Sequence, residues 1–164
     1  MSGTILTEKL VLAAIELARP SAEAILAHSG ATWGPKYVMG CVSCPEVSGG
    51  IITFRYGMLP DEWDPKWGPE KTAEDFLNFA EPKRQLAVRG NGPTSQIIHD
   101  APWLLEAGNS LWAGGTACPG ISVGVSGATG EADELIAELV LTMVIGLARM
   151  EAARRIAAHE MIIS

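Results

Sequence analysis

Residues suited to acid–base chemistry and anion binding are concentrated between positions 81 and 99. Glu81, Lys83, Arg84 and Arg89 are followed by His99 in a polar turn. An arginine guanidinium binds a carboxylate through two parallel hydrogen bonds, and a lysine ammonium contributes a point charge. Histidine and carboxyl groups transfer protons near neutral pH. We therefore predict His99, Glu81 and Arg84 as catalytic residues. Lys83 and Arg89 would hold an acid group of the ligand; the alternative is a solvated helix face.

Glycines in a strand-like segment and tryptophans in loops supply further candidate ligand contacts. Gly114 and Gly115 lie in a segment of strand type, where glycine costs stability and a compensating role is expected. That role is a β-bulge or close approach of a ligand to backbone amides; the alternative is tight packing of a helix on the sheet. Trp67 and Trp112, together with Trp63 and Trp103, offer flat surfaces to an aromatic or porphyrin ligand, or else anchor loops or a subunit contact. We predict Gly114, Gly115, Trp67 and Trp112 as ligand-binding residues.

Cys41 and Cys44 form a C-x-x-C pair, a spacing that occurs in redox and zinc sites. Residues three apart in a strand point to opposite faces, so we expect the two thiols to diverge. The pair also does not open a helix, as a thioredoxin-type site would. Only Cys118 and His99 remain as further candidate ligands. We therefore predict structural thiols and no metal site, with zinc as the alternative.

The sequence lacks several short motifs that identify common cofactor-dependent enzymes. It has no P-loop, no G-x-G-x-x-G and no H-E-x-x-H. Their absence argues against nucleotide-driven chemistry, nicotinamide chemistry and zinc proteolysis. If the protein is an enzyme, we expect acid–base chemistry of the lyase, isomerase or hydrolase type on a small metabolite, without a nucleotide cofactor.

Composition and charge are those of one globular domain. Of the 164 residues, 48% are apolar and 19% are charged, which is ordinary for a globular chain of this length. The formal net charge of -7 disfavours nucleic acid and anionic membranes, since both require clustered cations. The N-terminus does not resemble a secretory signal, and the longest apolar stretch, 135–148, is too short to span a bilayer. We expect a single cytoplasmic domain over 1–164.

Apolar periodicity and turn residues divide the chain into helices and hairpins. Helices are predicted where apolar residues recur every three or four positions, and strands where extended runs end at glycine or proline. Pro20 and Pro82 should kink or split their helices, because proline lacks the N–H donor. The predicted helices are 8–28, 72–89 and 131–159, with a short helix or turn over 95–106. The predicted strands are 36–44, 51–56, 110–118 and 121–126, with a turn over 45–50 and a tryptophan-bearing loop over 57–70.

The order helix, hairpin, helix, hairpin, helix predicts the fold class. Hairpins pair strands antiparallel, and amphipathic helices cover the faces of the resulting sheet. The prediction is an α/β (α+β) sandwich, with helices packed on an antiparallel sheet. At about 1.5 Å per residue the last helix would reach roughly 40 Å, more than a small domain needs. We therefore expect a homo-oligomer.

The C-terminal third resembles the GlcG/HbpS-like family. The residues that carry the resemblance are a Gly-Gly pair at 114–115, a hairpin through Pro119-Gly120, a G-V-S-G run at 124–127, and an acidic pair at 133–134 that opens an alanine-rich helix. In the middle helix, Ala80 and residues 83–87 fall where the family has an alanine-lysine-alanine pattern. Pro82 and Arg84 depart from that pattern.

The resemblance implies a profilin-like α/β sandwich that assembles into oligomers. Some members of the family bind haem, and others are encoded in catabolic operons. The function expected from it is a cytoplasmic protein that binds, and in one version transforms, a small carboxylated or aromatic metabolite. No cofactor is predicted, with haem as the alternative on His99, Cys118 or Cys41. The third reading is a non-catalytic accessory oligomer.

Overall fold

Eight regular elements make up the part of the chain that the structure describes. The structure is a computed structural model and describes residues 4–29, 34–45 and 50–159. In chain order the elements are α1 (Glu8–Ser29), β1 (Tyr37–Ser43), β2 (Ile52–Gly57), α2 (Ala73–Gly90), α3 (Thr94–Asp100), β3 (Gly115–Cys118), β4 (Ile121–Ser126) and α4 (Gly130–Ala157). Short 3-10 turns at Pro65–Trp67 and Pro102–Leu104 lie in the loops before α2 and β3.

Threonine side chains cap the beginnings of the three long helices. The Oγ1 of Thr7 accepts the N–H of Leu10 at 3.2 Å. Thr72 and Asp75 form a reciprocal capping box at the start of α2. The Oγ1 of Thr129 accepts the backbone N–H three residues further on, also at 3.2 Å. Each cap satisfies an N–H donor that the first helical turn leaves unpaired.

Pro20 and Pro82 each lie inside one continuous helix, so the predicted splits at these positions are wrong. A proline removes one backbone hydrogen bond from a helix but leaves the remaining ones in place. In α1, Pro20 is exposed, whereas Ala18 and Ala22 on either side of it are buried. The apolar stripe therefore packs on the same surface before and after the proline, and this packing keeps the two halves in one helix.

The four strands form one antiparallel sheet in the order β2-β1-β4-β3. The two hairpins meet through the β1–β4 pair, in which Cys41 lies opposite Gly124. Together with the helices packed on the sheet, this arrangement confirms the predicted α/β sandwich. The turn predicted over 45–50 falls largely on 46–49, which lie outside the described residues.

The third strand is shorter than predicted, because it begins at Gly115 and not at residue 110. The preceding segment turns instead: the Oγ of Ser110 accepts the N–H of Trp112 at 3.0 Å. Gly114 then adopts a φ of 147°, a value that favours glycine. Trp112 consequently lies in a loop beside the sheet rather than within it.

Helices α1 and α4 pack on one face of the sheet and enclose the hydrophobic core. Its members come from α1, β1, β2, β4 and α4, and they include Val11, Ile15, Val38, Val42, Tyr56, Val123, Val125, Ile136 and Val140. The Tyr56 hydroxyl donates to the Ile15 carbonyl at 2.7 Å, so this buried polar atom is paired. Beyond the core, none of residues 145–157 of α4 is buried. In the described ranges, no helix is both long enough and apolar enough to cross a membrane.

Helix α2 covers the opposite face of the sheet, and glycines let it approach closely. A Cβ on Gly124 would lie 2.1 Å from the Ala80 carbonyl oxygen, and one on Gly115 would lie 2.4 Å from the Lys83 carbonyl oxygen. These distances leave no room for a side chain. At Gly115 and Gly124, these contacts show tight packing of a helix on the sheet, which is one of the roles considered for the strand glycines.

Candidate functional site

A cavity beside α2, the larger of the two described below, is lined by aromatic rings. Its volume is about 420 Å³, and it is bordered by the loop before α2, the first half of α2, the loop before β3, the end of β4 and the start of α4. The aromatic side chains that line it are Trp63, Trp67, Phe76, Phe79 and Trp112. A concave site that combines aromatic and apolar walls with a few polar or charged groups is typical of small-molecule binding.

Local hydrogen bonds fix the positions of the two tryptophans in the loop before α2. The Trp63 indole N–H donates to the Gly68 carbonyl at 3.1 Å, and the Asp64 side chain caps the 3-10 turn that carries Trp67. The two indole rings meet edge to face with centroids 5.5 Å apart. Trp63 also lies 6.4 Å from the Phe76 ring on α2. The wall is therefore joined to the helix by ring contacts.

Three lysines line the same cavity. Lys66 forms a surface ion pair with Asp64 at 2.9 Å, and the Lys71 ammonium lies 5.5 Å from the centroid of the Phe79 ring. Lys83 is buried, with a side chain only 4% exposed. The cavity therefore has two lysines at its more exposed side and one at its inner end.

The inner end of the cavity is formed by a buried ion pair between α2 and α4. The Lys83 Nζ lies 3.0 Å from Asp133 Oδ2 and also donates to the Val125 carbonyl at 3.2 Å. The other oxygen of Asp133 accepts the N–H of Ala128 at 2.9 Å. Burial raises the pKa of the Asp133 carboxyl, and the Lys83 ammonium opposes that rise. The pair ties the two helices together across the end of β4.

Arg84 and Glu81 belong to a second group of side-chain contacts, which lies between α2 and the sheet. The Arg84 guanidinium donates to Glu81 and, at 2.9 Å, to the Ser122 hydroxyl. The Cys41 thiol donates to Glu81 at 3.2 Å. Burial acts to raise the pKa of Glu81, but the hydrogen bonds from Arg84 and Cys41 hold it below its ordinary value. Arg84 also borders a second cleft of about 400 Å³. None of the lysines or aromatic residues that line the larger cavity lines this cleft.

The remaining charged candidates, His99 and Arg89, line neither cavity. The His99 side chain is 88% exposed on α3 and pairs with the adjacent Asp100. Arg89 donates to the Leu104 carbonyl at 3.1 Å and to the Asn109 side chain, and so anchors the loop before β3. His99 therefore has its partner on the exposed surface of α3, and Arg89 has its partners in the loop before β3.

The backbone amides of Gly114 and Gly115 already have an acceptor. Both donate to the Thr94 hydroxyl oxygen at 3.0 Å. The Thr94 hydroxyl in turn donates to Glu134 on α4 at 3.0 Å. The two glycines thus take part in a bond network that joins α3, β3 and α4, while a ligand contact through these amides would have to displace Thr94.

The structure therefore brings Lys83, Trp67 and Trp112 to one cavity and leaves the other predicted site residues outside it. Sequence reasoning missed Asp133, Lys71, Phe76 and Phe79 as lining residues. A signal for the two phenylalanines was present, because positions 76, 79 and 83 recur at the three- and four-residue spacing of one helix face. No local spacing links Lys83 to Asp133, which lies 50 residues further along the chain.

Residues 120–124 spell G-x-S-x-G, the pattern of the serine-hydrolase nucleophile elbow. In that elbow the serine occupies a sharp turn between a strand and a helix, with its Oγ exposed. Here Ser122 lies within β4 and is only 4% exposed, and its Oγ accepts a hydrogen bond from Arg84. The pattern therefore does not form an elbow in this fold.

The cysteines and histidines do not converge on a shared site. Cys41 faces α2, whereas Cys44 belongs to the core on the opposite face of the sheet, so their side chains diverge as expected for a strand. Among the described residues, no three His, Cys, Asp or Glu side chains are grouped so that they could hold a metal ion. His99, Cys118 and Cys41, the proposed axial ligands for haem, do not line the larger cavity.

Comparison with known proteins adds no relative to this description. No protein-family model matches the chain, no curated protein matches it, and no solved structure matches its fold. The resemblance of the C-terminal third to the GlcG/HbpS-like family stays a prediction.

Proposed function

We propose that this protein binds a small aromatic carboxylate in the cavity between α2, the tryptophan-bearing loop and the start of α4. The observation that carries the proposal is the meeting of five aromatic rings and three lysines around one space of about 420 Å³. Rings of this kind stack on, or meet edge to face with, a flat ligand ring. The ammonium groups supply the opposite charge for a carboxylate.

The charge of the cavity supports an anionic ligand. The whole chain has a formal net charge of -7, yet the cavity is lined by Lys66, Lys71 and Lys83. Lys66 pairs with Asp64 and Lys83 pairs with Asp133, so these three lysines still outnumber the two carboxylates paired with them. A positive recess in a negative protein concentrates anions locally, because clefts with low-dielectric walls focus the field. Neutral aromatic compounds would gain the stacking contacts without this attraction.

The proposal concerns binding and assigns no reaction. Glu81, Arg84 and His99, the predicted catalytic residues, do not line the larger cavity. The wider setting follows from the sequence resemblance: we propose a GlcG/HbpS-like protein of the cytoplasm that serves a catabolic pathway as a homo-oligomer. The unburied second half of α4 is consistent with a subunit contact.

Isothermal titration calorimetry with three probes tests the proposal. Benzoate carries both ring and charge, benzyl alcohol carries the ring alone, and acetate carries the charge alone. We expect measurable binding of benzoate, weaker binding of benzyl alcohol, and none of acetate at the same concentrations. Equal affinity for all three, or no heat with benzoate, contradicts the proposal.

Matched variants locate the site. Trp112→Ala should weaken benzoate binding by about 3- to 10-fold, since an aromatic pair contributes roughly 0.5–1.5 kcal/mol beyond the area it buries. Trp103→Ala is the control, because Trp103 is 77% exposed and does not line the cavity. Lys71→Met should also weaken binding, with exposed Lys9 on α1 as the control position. Loss of binding in the controls and not in the cavity variants would place the site elsewhere.

A further inference from the structure

The Lys83 ammonium has three hydrogen-bond donors but only two partners among the residues that the structure describes. An ammonium group carries three N–H donors and no acceptor. Two of those on Lys83 are directed to Asp133 and to the Val125 carbonyl. The side chain is 4% exposed and lines the larger cavity. The third donor is therefore available to a molecule in the cavity.

Asp133 does not compete for the same position on a ligand. Its Oδ2 accepts from Lys83, and its Oδ1 accepts from the Ala128 N–H. A carboxylate held in this way orients the ammonium. The hydroxyl of Ser126, which is also buried and lines the cavity, adds a second polar group at this end. The inner end of the cavity thus presents a fixed cationic donor.

The position of Lys83 differs from that of the other two lysines. Lys66 has a side chain that is 67% exposed, and Lys71 is of intermediate exposure. A carboxylate at the more exposed side of the cavity can meet these two lysines while keeping part of its hydration. A ligand atom that contacts Lys83 is removed from water. A hydrogen bond to a charged partner is stronger in the protein interior than in water.

Resting on the proposed function, we propose that Lys83 binds an oxyanion, so that the ligand is a phenol whose ionised oxygen reaches the inner end of the cavity. The class of ligand is therefore an aromatic acid with a hydroxyl group on the side of the ring away from the carboxylate. Asp133 acts as a positioning residue that directs the Lys83 donor toward that oxygen.

The test uses 4-nitrophenol, whose visible absorbance reports whether its oxygen is ionised. The probe is titrated with pH in the presence of saturating protein and in buffer alone. We expect the ionisation midpoint of the bound probe to fall by about one pH unit or more, since a hydrogen bond to a charged group favours the ionised form at least about tenfold. 4-Nitroanisole, which cannot ionise, is the matched probe and should bind more weakly.

Variants assign the shift to Lys83. Lys83→Met alone leaves the Asp133 carboxylate buried without its partner, so the double variant Lys83→Met/Asp133→Leu replaces both charges with apolar groups. In that variant we expect 4-nitrophenol to bind with an unshifted midpoint. Lys71→Met should weaken binding and keep the shift. A shift that survives the double variant and disappears in Lys71→Met overturns the assignment.

The failures of the two proposals are distinguishable. If benzoate and 4-nitrophenol both bind but the midpoint is unchanged or rises, the oxyanion role of Lys83 is wrong and aromatic binding stands. If calorimetry detects binding of neither probe, the proposed function is wrong and the inference falls with it. The wild-type measurement alone decides between these outcomes, whether or not the double variant folds.

Discussion

The two faces of the sheet are built from different chemistry. Towards α1 and α4, the strands present Val38, Val42, Val123 and Val125, and these join one closed apolar core. Towards α2, β4 presents Ser122, Gly124 and Ser126, which meet charged side chains and helix backbone. Apolar burial gains free energy in proportion to area and needs no specific partner. Buried polar groups need a partner each, so their positions are more strictly determined.

This difference separates stability from recognition within one small sheet. The α1/α4 face is closed by side chains that fill space, and changes there should affect folding alone. The α2 face holds the ion pair, the glycine contacts and the aromatic cavity, and changes there should affect both folding and ligand binding. A substitution on one face that produces the effect expected for the other face would contradict this separation of stability from recognition.

The largest effect on stability is expected at the buried ion pair. Asp133→Leu should lower the free energy of unfolding by about 3–5 kcal/mol, because it leaves the Lys83 ammonium buried without a countercharge. Urea denaturation measures the loss. The double variant Lys83→Met/Asp133→Leu should recover most of it, since both charges are then removed. An Asp133→Leu protein as stable as the wild type would show that the pair is not buried as described.

The next effect concerns the apolar face. Ile136 is fully buried, and Ile136→Ala should cost about 2–5 kcal/mol through lost contacts and the cavity left behind. Benzoate affinity of the folded variant should stay unchanged. Leu135→Ala, at the neighbouring position that is 50% exposed, should change stability by less than about 0.5 kcal/mol. An Ile136→Ala variant that folds well but loses the ligand contradicts the separation of the two faces.

A third substitution tests the close approach of α2 to the sheet. Gly124→Ala places a Cβ 2.1 Å from the Ala80 carbonyl oxygen, so the helix must shift, at a cost of about 1–3 kcal/mol. The same change at Gly146 in α4 meets no atom within 4 Å. Gly146→Ala should therefore stabilise the protein by up to about 1 kcal/mol, because alanine favours helix. Thermal unfolding of both variants reports the difference, and equal shifts would refute the contact.

The smallest effect is local and concerns the thiols. Burial raises the pKa of the Cys41 thiol well above its usual range, and the Glu81 carboxylate adds to the rise. Cys41 should stay protonated and unmodified by iodoacetamide between about pH 7 and about pH 9, a range that includes the ordinary thiol pKa of about 8.5. Cys118, which is partly exposed, should be labelled faster than Cys41, because the reagent can reach it. Peptide mass spectrometry identifies the labelled residue, and rapid labelling of Cys41 in the folded protein would contradict its burial under α2.

The fold was predictable because its signals are local. Apolar periodicity located α1, α2 and α4, and the turn residues Pro119-Gly120 located the second hairpin. The splits predicted at Pro20 and Pro82 were wrong because packing along the rest of each helix outweighs the loss of a single hydrogen bond. The third strand was overextended because nothing in residues 110–114 signals the turn that the Ser110 side chain stabilises.

The site was predictable only in part, because side-chain direction depends on tertiary packing. Lys83 and Arg84 are adjacent in sequence, but successive positions in a helix point about 100° apart. One therefore lines the aromatic cavity, while the other meets Ser122 and borders the second cleft. The partner of Lys83 comes from a helix that begins 47 residues after it, so no spacing rule could find it.

The central claim is that the cavity on the α2 face is where an aromatic carboxylate binds. Amide chemical-shift mapping by NMR during a benzoate titration tests it most directly, since both faces are observed in one experiment. We predict saturable shifts at cavity residues such as Trp67, Phe79, Trp112 and Ser126, with little change at Val11 and Val140 in the core. Shifts confined to the α1/α4 face, or no saturable shifts at all, would contradict the claim.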